Sequence, residues 1–337
     1  MCGLTAIYAY AAGAPPVDAG ELRAIRDRMS ARGPDGAGEW LSADGRVGLG
    51  HRRLSIIDLR AVADQPMVHD NRLRVVFNGE IYNYKTLREQ LVREGRTFQT
   101  ESDTEVLLHL YDRDGPNMVR HLRGMYAFAL WDEMRGGLLL ARDPFGIKPL
   151  YYADDGKTIR IASQVKALLA GGHVDSAPEP AGHVGFFLWG NVPDPYTLYR
   201  GIRALPAGTT LWIDRTQSRG PTRFFDLAQT LARSEPAPTD ATQRAEALRA
   251  ALIDSIAHHL IADVPVGVFL SAGLDSTTIV ALASEAGASN INTVTLGFRE
   301  FQGKENDETA LAEAVAAQRS TRGCGVHFFD RRLPGKN

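Results

Sequence analysis

Apolar residues recur along this chain at two spacings, three to four residues and two residues, and the order in which the spacings alternate outlines its architecture. Leu22, Ile25 and Met29 follow Asp18 and Glu21, a pair spaced as a capping box, and Gly33-Pro34 ends the run, so a surface helix is predicted there. Strand-like runs follow: residues 40–41 and 47–49 across Asp44-Gly45, then Leu73, Val75 and Phe77 alternating up to Asn78-Gly79. A second helix over 84–94 places Leu87, Leu91 and Val92 together and stops at Gly95. A third opens with Ser102 and Glu105, carries Val106, Leu107, Leu110 and Tyr111, and ends at Gly115-Pro116. Strands return at 125–131, 138–142, 150–153, 159–162 and 209–213, with Asp155-Gly156 as a hairpin turn. Two helices between two groups of strands predict an α+β domain with helices layered on antiparallel sheets.

Between residues 228 and 242 the composition shifts to Ala, Pro, Ser, Thr and charge, which reads as a linker between a domain at 1–227 and another at 243–337. Beyond it the grammar changes to α/β: a helix over 241–260, a strand over 264–270, a Gly-containing turn, a helix over 276–285 and a strand over 291–296. That order predicts a parallel sheet.

The 337 residues carry 44% hydrophobic and 23% charged side chains with a net charge of −2, so there is no basic excess to meet nucleic acid. Cys2 and Cys324 are the only cysteines, which implies no disulfide framework and fits a reducing, cytoplasmic setting. The apolar run 4–14 has the length of a signal core, but no Lys or Arg precedes it. The apolar run 184–192 is too short to span a bilayer, so no membrane association is expected. The nine histidines form no His-Glu-x-x-His motif, and Cys324 with His327 is a lone pair, so no zinc site is expected.

Candidate chemistry begins at Met1-Cys2-Gly3. With Met1 removed, Cys2 would carry both a nucleophilic sulfur and a free α-amine, and an amine with a pKa near ~7.7–8.0 can take the thiol proton without a histidine. The plain alternative is a cysteine that happens to follow the initiator. Asn78-Gly79 reads first as a hairpin turn; the same amide and Gly N–H, exposed at a turn, could instead stabilise an oxyanion. Arg53 could grip a carboxylate and Asp103, at a helix start, an ammonium, although each alone reads as a solvated surface charge. In the second half, residues 266–276 run from a buried strand through Ser271-Ala272-Gly273 into a helix N-terminus. Such a turn collects unpaired N–H groups and binds anions, phosphate above all, with Asp275 placed to hold Mg²⁺. Its bland reading is a βα turn capped by Ser276. Ala272 matters here, since alanine tolerates the turn only where φ stays negative.

Residues 1–3, 32–36, 51–58, 77–84, 102–105 and 141–152, in that order, resemble the glutaminase domain of class II glutamine amidotransferases, which are N-terminal nucleophile hydrolases. The loop Ser-Ala-Gly-Leu-Asp-Ser at 271–276 is similar to the pyrophosphatase loop Ser-Gly-Gly-x-Asp-Ser, with Ala272 in place of a Gly, and the two together resemble glutamine-hydrolysing asparagine synthetase up to about Gln318. The resemblance implies an αββα sandwich followed by an incomplete Rossmann-like adenine-nucleotide domain. It implies Cys2 as nucleophile, Asn78 and Gly79 as oxyanion hole, and a glutamine pocket of Arg53, Leu54, Ser55, Ile56, Ile57, Glu80 and Asp103. Leu270, Ser271, Gly273, Asp275, Ser276 and Leu296 would serve ATP, with Mg²⁺ at Asp275. Glutamine, aspartate and ATP are the implied substrates and a homodimer the candidate assembly. The tail after Gln318 shows no apolar periodicity, and it is expected to mark a truncated or frameshifted synthetase domain with unpaired sheet edges. Another carboxylate acceptor, a glutaminase-only fragment and an inactive fragment are the competing readings.

Overall fold

The computed structural model describes every residue except 217, 235–239, 288–290, 305–306, 319–321 and 330–337, with backbone alone described at 218–219 and 322–329. The chain forms two compact units, Met1–Ser234 and Glu235–Asn337.

The first unit contains, in chain order, β1 (Gly3–Ala9), α1 (Ala19–Asp27), β2 (Gly36–Leu41), β3 (Val47–Arg53), β4 (Met67–His69), β5 (Leu73–Ile81), α2 (Tyr84–Arg93), α3 (Asp103–Asp114), β6 (Gly124–Asp132), β7 (Gly137–Arg142), β8 (Tyr151–Asp154), β9 (Thr158–Ala162), α4 (Val165–Ala170), α5 (Pro180–Trp189), β10 (Arg203–Ala204), β11 (Thr209–Asp214), β12 (Ser218–Arg223) and α6 (Leu227–Arg233). Two six-stranded sheets result, ordered β10-β8-β9-β1-β3-β2 and β12-β11-β7-β6-β5-β4. All pairings within them are antiparallel.

Alternation assigns the faces. Leu4, Ala6 and Tyr8 of β1 point into the layer between the sheets, where Val76, Ala129, Leu140 and Ile161 meet them. Ile7 points the other way, into a layer with Leu22 and Ile25 of α1 and Leu168 of α4. α3 covers the outer face of the second sheet, against β4 and β5, and α2 packs on α3. The stacking is helix, sheet, sheet, helix, as the resemblance implied.

Local readings need four corrections. Asn78-Gly79 is not a hairpin turn: it lies inside β5, paired with Ala127 and Tyr126 of β6. Val92 is half-exposed, because α2 buries Tyr84, Leu87 and Leu91 instead. Glu21 does not close a capping box; Asp18 caps Gly20 N–H, and Glu21 is buried in an ion pair with Arg160. Within the expected linker, residues 228–233 belong to α6, whose first turn Asp226 caps, while 235–239 lie outside the described residues.

The run 4–14 begins as β1, buried throughout. No helix among the described residues is long and apolar enough to cross a membrane.

The second unit contains α7 (Ala241–His259), β13 (Gly267–Phe269), α8 (Leu274–Glu285), β14 (Asn292–Phe298), α9 (Thr309–Gln318) and β15 (Arg322–Phe329). The three strands pair in parallel, in the order β13-β14-β15. The expectation that pattern ends at Gln318 is overturned: residues 322–329 form a full strand beside β14, whose partner ladder supplies what apolar periodicity does not.

Candidate active site

Cys2 stands immediately before β1, the strand between β3 and β9 in the first sheet. Its sulfur accepts the Leu54 N–H at 3.4 Å, and its S–H faces the Leu54 carbonyl at 3.6 Å. Arg32 Nε donates to the Cys2 carbonyl at 2.9 Å. The residue after β3 and the segment after α1 therefore fix this residue from two sides. Burial pushes the Cys2 thiol up, opposed by the Leu54 N–H. Burial also lowers the chain's amino group, which the neighbouring Cys2 opposes; that amine belongs to Met1, so a base on Cys2 itself requires removal of Met1.

A cleft opens at the sulfur. Cys2, Arg53, Leu54, Ile56, Ile57, Gly79, Glu80 and Asp103 line it, together with Ala63, Gln65, Phe77, Ser102 and Thr104. Of the residues named from the sequence for this pocket, the cleft brings together all but Ser55 and Asn78. Ser55 instead donates its N–H to Asp35. Asn78 is wholly buried, and both its amide atoms lack a partner among the described residues. An orphaned buried amide is costly, about 1–3 kcal/mol, unless something else engages it.

Three networks hold the walls. Asp58, whose carboxylate the Arg60 guanidinium keeps well below its ordinary range, also accepts the Glu101 N–H at 2.8 Å and ties the loop after β3 to the approach to α3. Gln65 accepts the Phe77 N–H at 2.6 Å and donates to Thr104 at 3.3 Å, joining β5 to α3. At the start of α3, Ser102 caps Thr104 N–H, and Glu105 reaches back to the N–H groups of Gln99 and Thr100. Sequence reasoning assigned no pocket role to Gln65, Phe77 or Thr104, although Phe77 and Thr104 stand in segments that carry the resemblance; their part in the cleft depends on contacts between distant segments.

Glycine at 79 has a direct steric cause. A Cβ there would lie 2.3 Å from the Met125 carbonyl and 2.7 Å from Tyr126 Cα, so β6 leaves no room for a side chain.

The charged groups are not free surface charges. Arg53 is 7% exposed and donates to the carbonyls of Asp58 and Arg60 and to the Asp64 carboxylate at 2.7 Å. A substrate carboxylate would have to share it with Asp64. Asp103 is buried and accepts the Ile81 N–H at 2.9 Å. Burial raises both Asp103 and Glu80, and Asp103 adds repulsion at Glu80, so the pair resists double ionisation.

The second unit carries a separate candidate site between β13 and α8. Ser271 N–H donates to Ser276 Oγ at 3.2 Å, and the two hydroxyls also lie 3.2 Å apart. Gly273, the residue before α8, gives it no side-chain cap, and exposed Asp275 occupies the first turn. Ala272 adopts φ +58°, the left-handed region where alanine is strained. Leu270 is committed elsewhere: its side chain is in the core, its N–H donates to Val294 and its carbonyl accepts from Thr295. Leu296 is half-exposed.

A cysteine at the lip of an αββα sandwich, beside a cleft with paired polar anchors, defines an N-terminal nucleophile hydrolase fold of the class II amidotransferase type. The chain belongs to the family described as "Glutamine amidotransferase domain", whose profile matches residues 1–225. The profile "Asparagine synthase" matches residues 247–330, so the resemblance continues past the expected limit at Gln318. A putative glutamine-hydrolysing asparagine synthetase of Mycobacterium tuberculosis is 38% identical over 99% of this chain and 53% of its own length. Asparagine synthetase 1 of Bacillus subtilis is 37% identical over 94% of this chain and 49% of its own. The chain thus spans about half the length of these relatives. Among solved structures, the glutamine phosphoribosylpyrophosphate amidotransferase of B. subtilis shares the fold at TM-score 0.51 and 17% identity, covering 97% of this chain and 81% of that one.

Proposed function

We propose that the first unit hydrolyses glutamine to glutamate and ammonia once Met1 has been removed. The observation that carries this reading is the meeting of the Cys2 sulfur with Arg53, Gly79, Glu80 and Asp103 in one cleft. The Cys2 amine takes the thiol proton as the sulfur attacks the side-chain amide carbon of glutamine. Asn78 and the Gly79 N–H receive the developing oxyanion, an effect worth roughly 10²–10³ in rate per donor. The orphaned amide of Asn78 supports that role, since a transition-state oxygen would satisfy it. The amine then returns the proton to the departing ammonia, leaving a γ-glutamyl thioester that water cleaves. Arg53 binds the substrate carboxylate and Asp103, with Glu80, its ammonium, while the Leu54 to Ile57 wall completes the pocket.

The second unit, by the same reading, belongs to an ATP-dependent ligase that passes the ammonia to aspartate to form asparagine, AMP and pyrophosphate. Ser271, Gly273 and Ser276 fit a phosphate, since they gather at an uncapped helix start, and Asp275 fits a Mg²⁺ that arrives with the nucleotide. ATP bound there would supply the adenylyl group that activates a carboxylate. Leu296 offers an exposed apolar contact to the nucleotide; Leu270, buried and fully bonded, does not. A cytoplasmic setting and homodimeric assembly complete the proposal.

The test is glutamate release by the Met1-free full-length chain, with Cys2→Ala as control. Release in the parent and its loss in the variant are expected; no release after verified maturation overturns the glutaminase reading. Aspartate-dependent exchange of pyrophosphate into ATP tests the second unit, and a panel of other carboxylic acids tests the acceptor.

A further inference from the structure

Alternate residues of an antiparallel strand turn their backbone groups to opposite edges. Tyr126 of β6, opposite Gly79, turns its N–H and carbonyl to Asp143 rather than to β5. Gly79 and the residues two places either side of it, Phe77 and Ile81, therefore direct their N–H groups away from β6, toward the edge where β4 lies. β4 stops short of them: its pairs join Met67 to Val75, Val68 to Arg74 and His69 to Leu73. Past Val75 these three N–H groups have no strand beside them.

Side chains meet the outer two. Phe77 N–H donates to Gln65 Oε1 at 2.6 Å, and Ile81 N–H donates to Asp103 Oδ2 at 2.9 Å. The middle group, of Gly79, is left to the cleft that Cys2, Gln65, Phe77, Gly79 and Asp103 line together. Both acceptors lean on one support. Gln65 Nε2 donates to Thr104 Oγ1 at 3.3 Å, and Thr104 follows Asp103 in the first turn of α3, which Ser102 caps. On the same edge the Phe77 carbonyl accepts from His51 Nε2 at 2.9 Å, a side chain of β3 in the other sheet. Gln65 is 7% exposed and Phe77 3%, so bulk water does not stand ready to replace the amide. The Phe77 ring also bounds the space at 79, where a Cβ would lie 2.9 Å from it. What fixes Phe77 therefore fixes Gly79.

We propose that Gln65 is a positioning residue for the oxyanion donor at Gly79: its side chain stands in for the missing strand at Phe77 and, with Asp103, brackets the Gly79 N–H so that it stays unpaired and aimed into the cleft. Gln65 acts through β5 and touches no reacting atom. The kinetic part of this inference rests on the glutamine-hydrolysis reading; the arrangement of the strand edge does not.

The experiment compares the Met1-free full-length protein with Gln65→Met, which keeps the side chain's length and loses its acceptor, and with Thr104→Val, which releases Gln65 from α3. A displaced oxyanion donor should lower kcat for glutamine by about 10- to 100-fold in Gln65→Met, and by less in Thr104→Val. Glutamine affinity, measured by calorimetry with Cys2→Ala in each background, should change far less than kcat. Alkylation of Cys2 by iodoacetamide, which builds no oxyanion, should keep the parent rate, with peptide mass spectrometry separating Cys2 from Cys324. Amide hydrogen exchange, resolved to single residues by fragmentation mass spectrometry, reads the edge itself. Gly79 should exchange faster than Phe77 and Ile81 in the parent, and Gln65→Met should speed Phe77 by about tenfold or more without altering Asn78 or Glu80, which face β6.

An unchanged kcat in folded Gln65→Met overturns the proposal, as does an affinity or an alkylation rate that falls as far as kcat. A parent Gly79 protected as strongly as Phe77 overturns it too. If Gln65→Met does not fold, Thr104→Val decides, and a kcat equal to the parent's refutes the role. A parent that leaves glutamine intact refutes the glutaminase reading alone, and the exchange rates of Phe77 and Gly79 then decide the role of Gln65.

Discussion

In the unit Met1–Ser234, side chains as large as Tyr8, Tyr126 and Phe128 are wholly buried, and the core runs through two sheets and their helices. In the unit Glu235–Asn337 the described core cluster is Leu270, Val280, Ala312 and Ala316, all but Leu270 small or β-branched. There Leu248, Phe269, Leu274 and Leu311 are 62%, 73%, 89% and 60% exposed, and α7 buries no residue. The contrast follows from sheet type. Antiparallel hairpins bring two faces together from neighbouring segments, whereas a parallel sheet is stable only when helices cover both of its faces. The consequence reaches the sites: the Cys2 cleft is held by networks between distant segments, and the loop at Ser271 by contacts within six residues.

The largest expected effect separates chemistry from folding in the better-packed unit. Cys2→Ala should lower glutaminase activity by on the order of 10⁴-fold or more, as loss of a nucleophile does, with an unchanged thermal transition. Steady-state kinetics and calorimetry on one preparation check both halves of that statement.

Core truncation should then grade the two units. Phe128→Ala should cost about 3–5 kcal/mol in denaturant unfolding of the first unit. Val280→Ala removes two methyl groups and should cost about 1–2 kcal/mol in the second. A loss for Val280→Ala as large as that for the much bigger Phe128→Ala would contradict the looser packing of the second core.

A pH series sharpens the picture of the cleft. Glu80 and Asp103 are raised by burial, so between the ordinary carboxylate range and about pH 8 the folded state keeps a proton that the unfolded chain releases. Stability of the first unit should therefore fall as pH rises through that window. Glu80→Gln should flatten the slope; a parent curve that rises across the window would contradict the burial of this pair.

The smallest effect lies in the second unit. An alanine in the left-handed region costs about 1–2 kcal/mol, and glycine gives back roughly 0.5–1 through its freer unfolded chain. Ala272→Gly should thus stabilise that unit by about 0.5–1 kcal/mol, read as a shift in its own unfolding midpoint.

Much of this was legible in the chain itself. Helices α1, α2 and α3, most strands of both sheets and the parallel order of the second unit follow from apolar spacing and turn residues, because those signals act over a few neighbours. The candidate nucleophile was legible too, since a sulfur next to the initiator is a statement about sequence position alone. The strand at 322–329 was not legible, because β15 gains its place from pairing with β14, which leaves no trace in local periodicity.

Sequence alone therefore determined which residue types stand ready for chemistry, Cys2, Arg53, Gly79 and Asp103 among them, and the local elements that carry them. Tertiary structure decided the rest. Nine paired residues of β5 against β6 outweigh a two-residue turn signal, so Asn78-Gly79 is strand, and the backbone of β6 is what requires glycine at 79. Burial turned Asp103, which alone reads as a surface charge, into a group that repels Glu80. The physical reason is range: propensity and capping act over about a turn of chain, whereas desolvation and contact depend on residues a hundred positions apart that only the folded sandwich brings together.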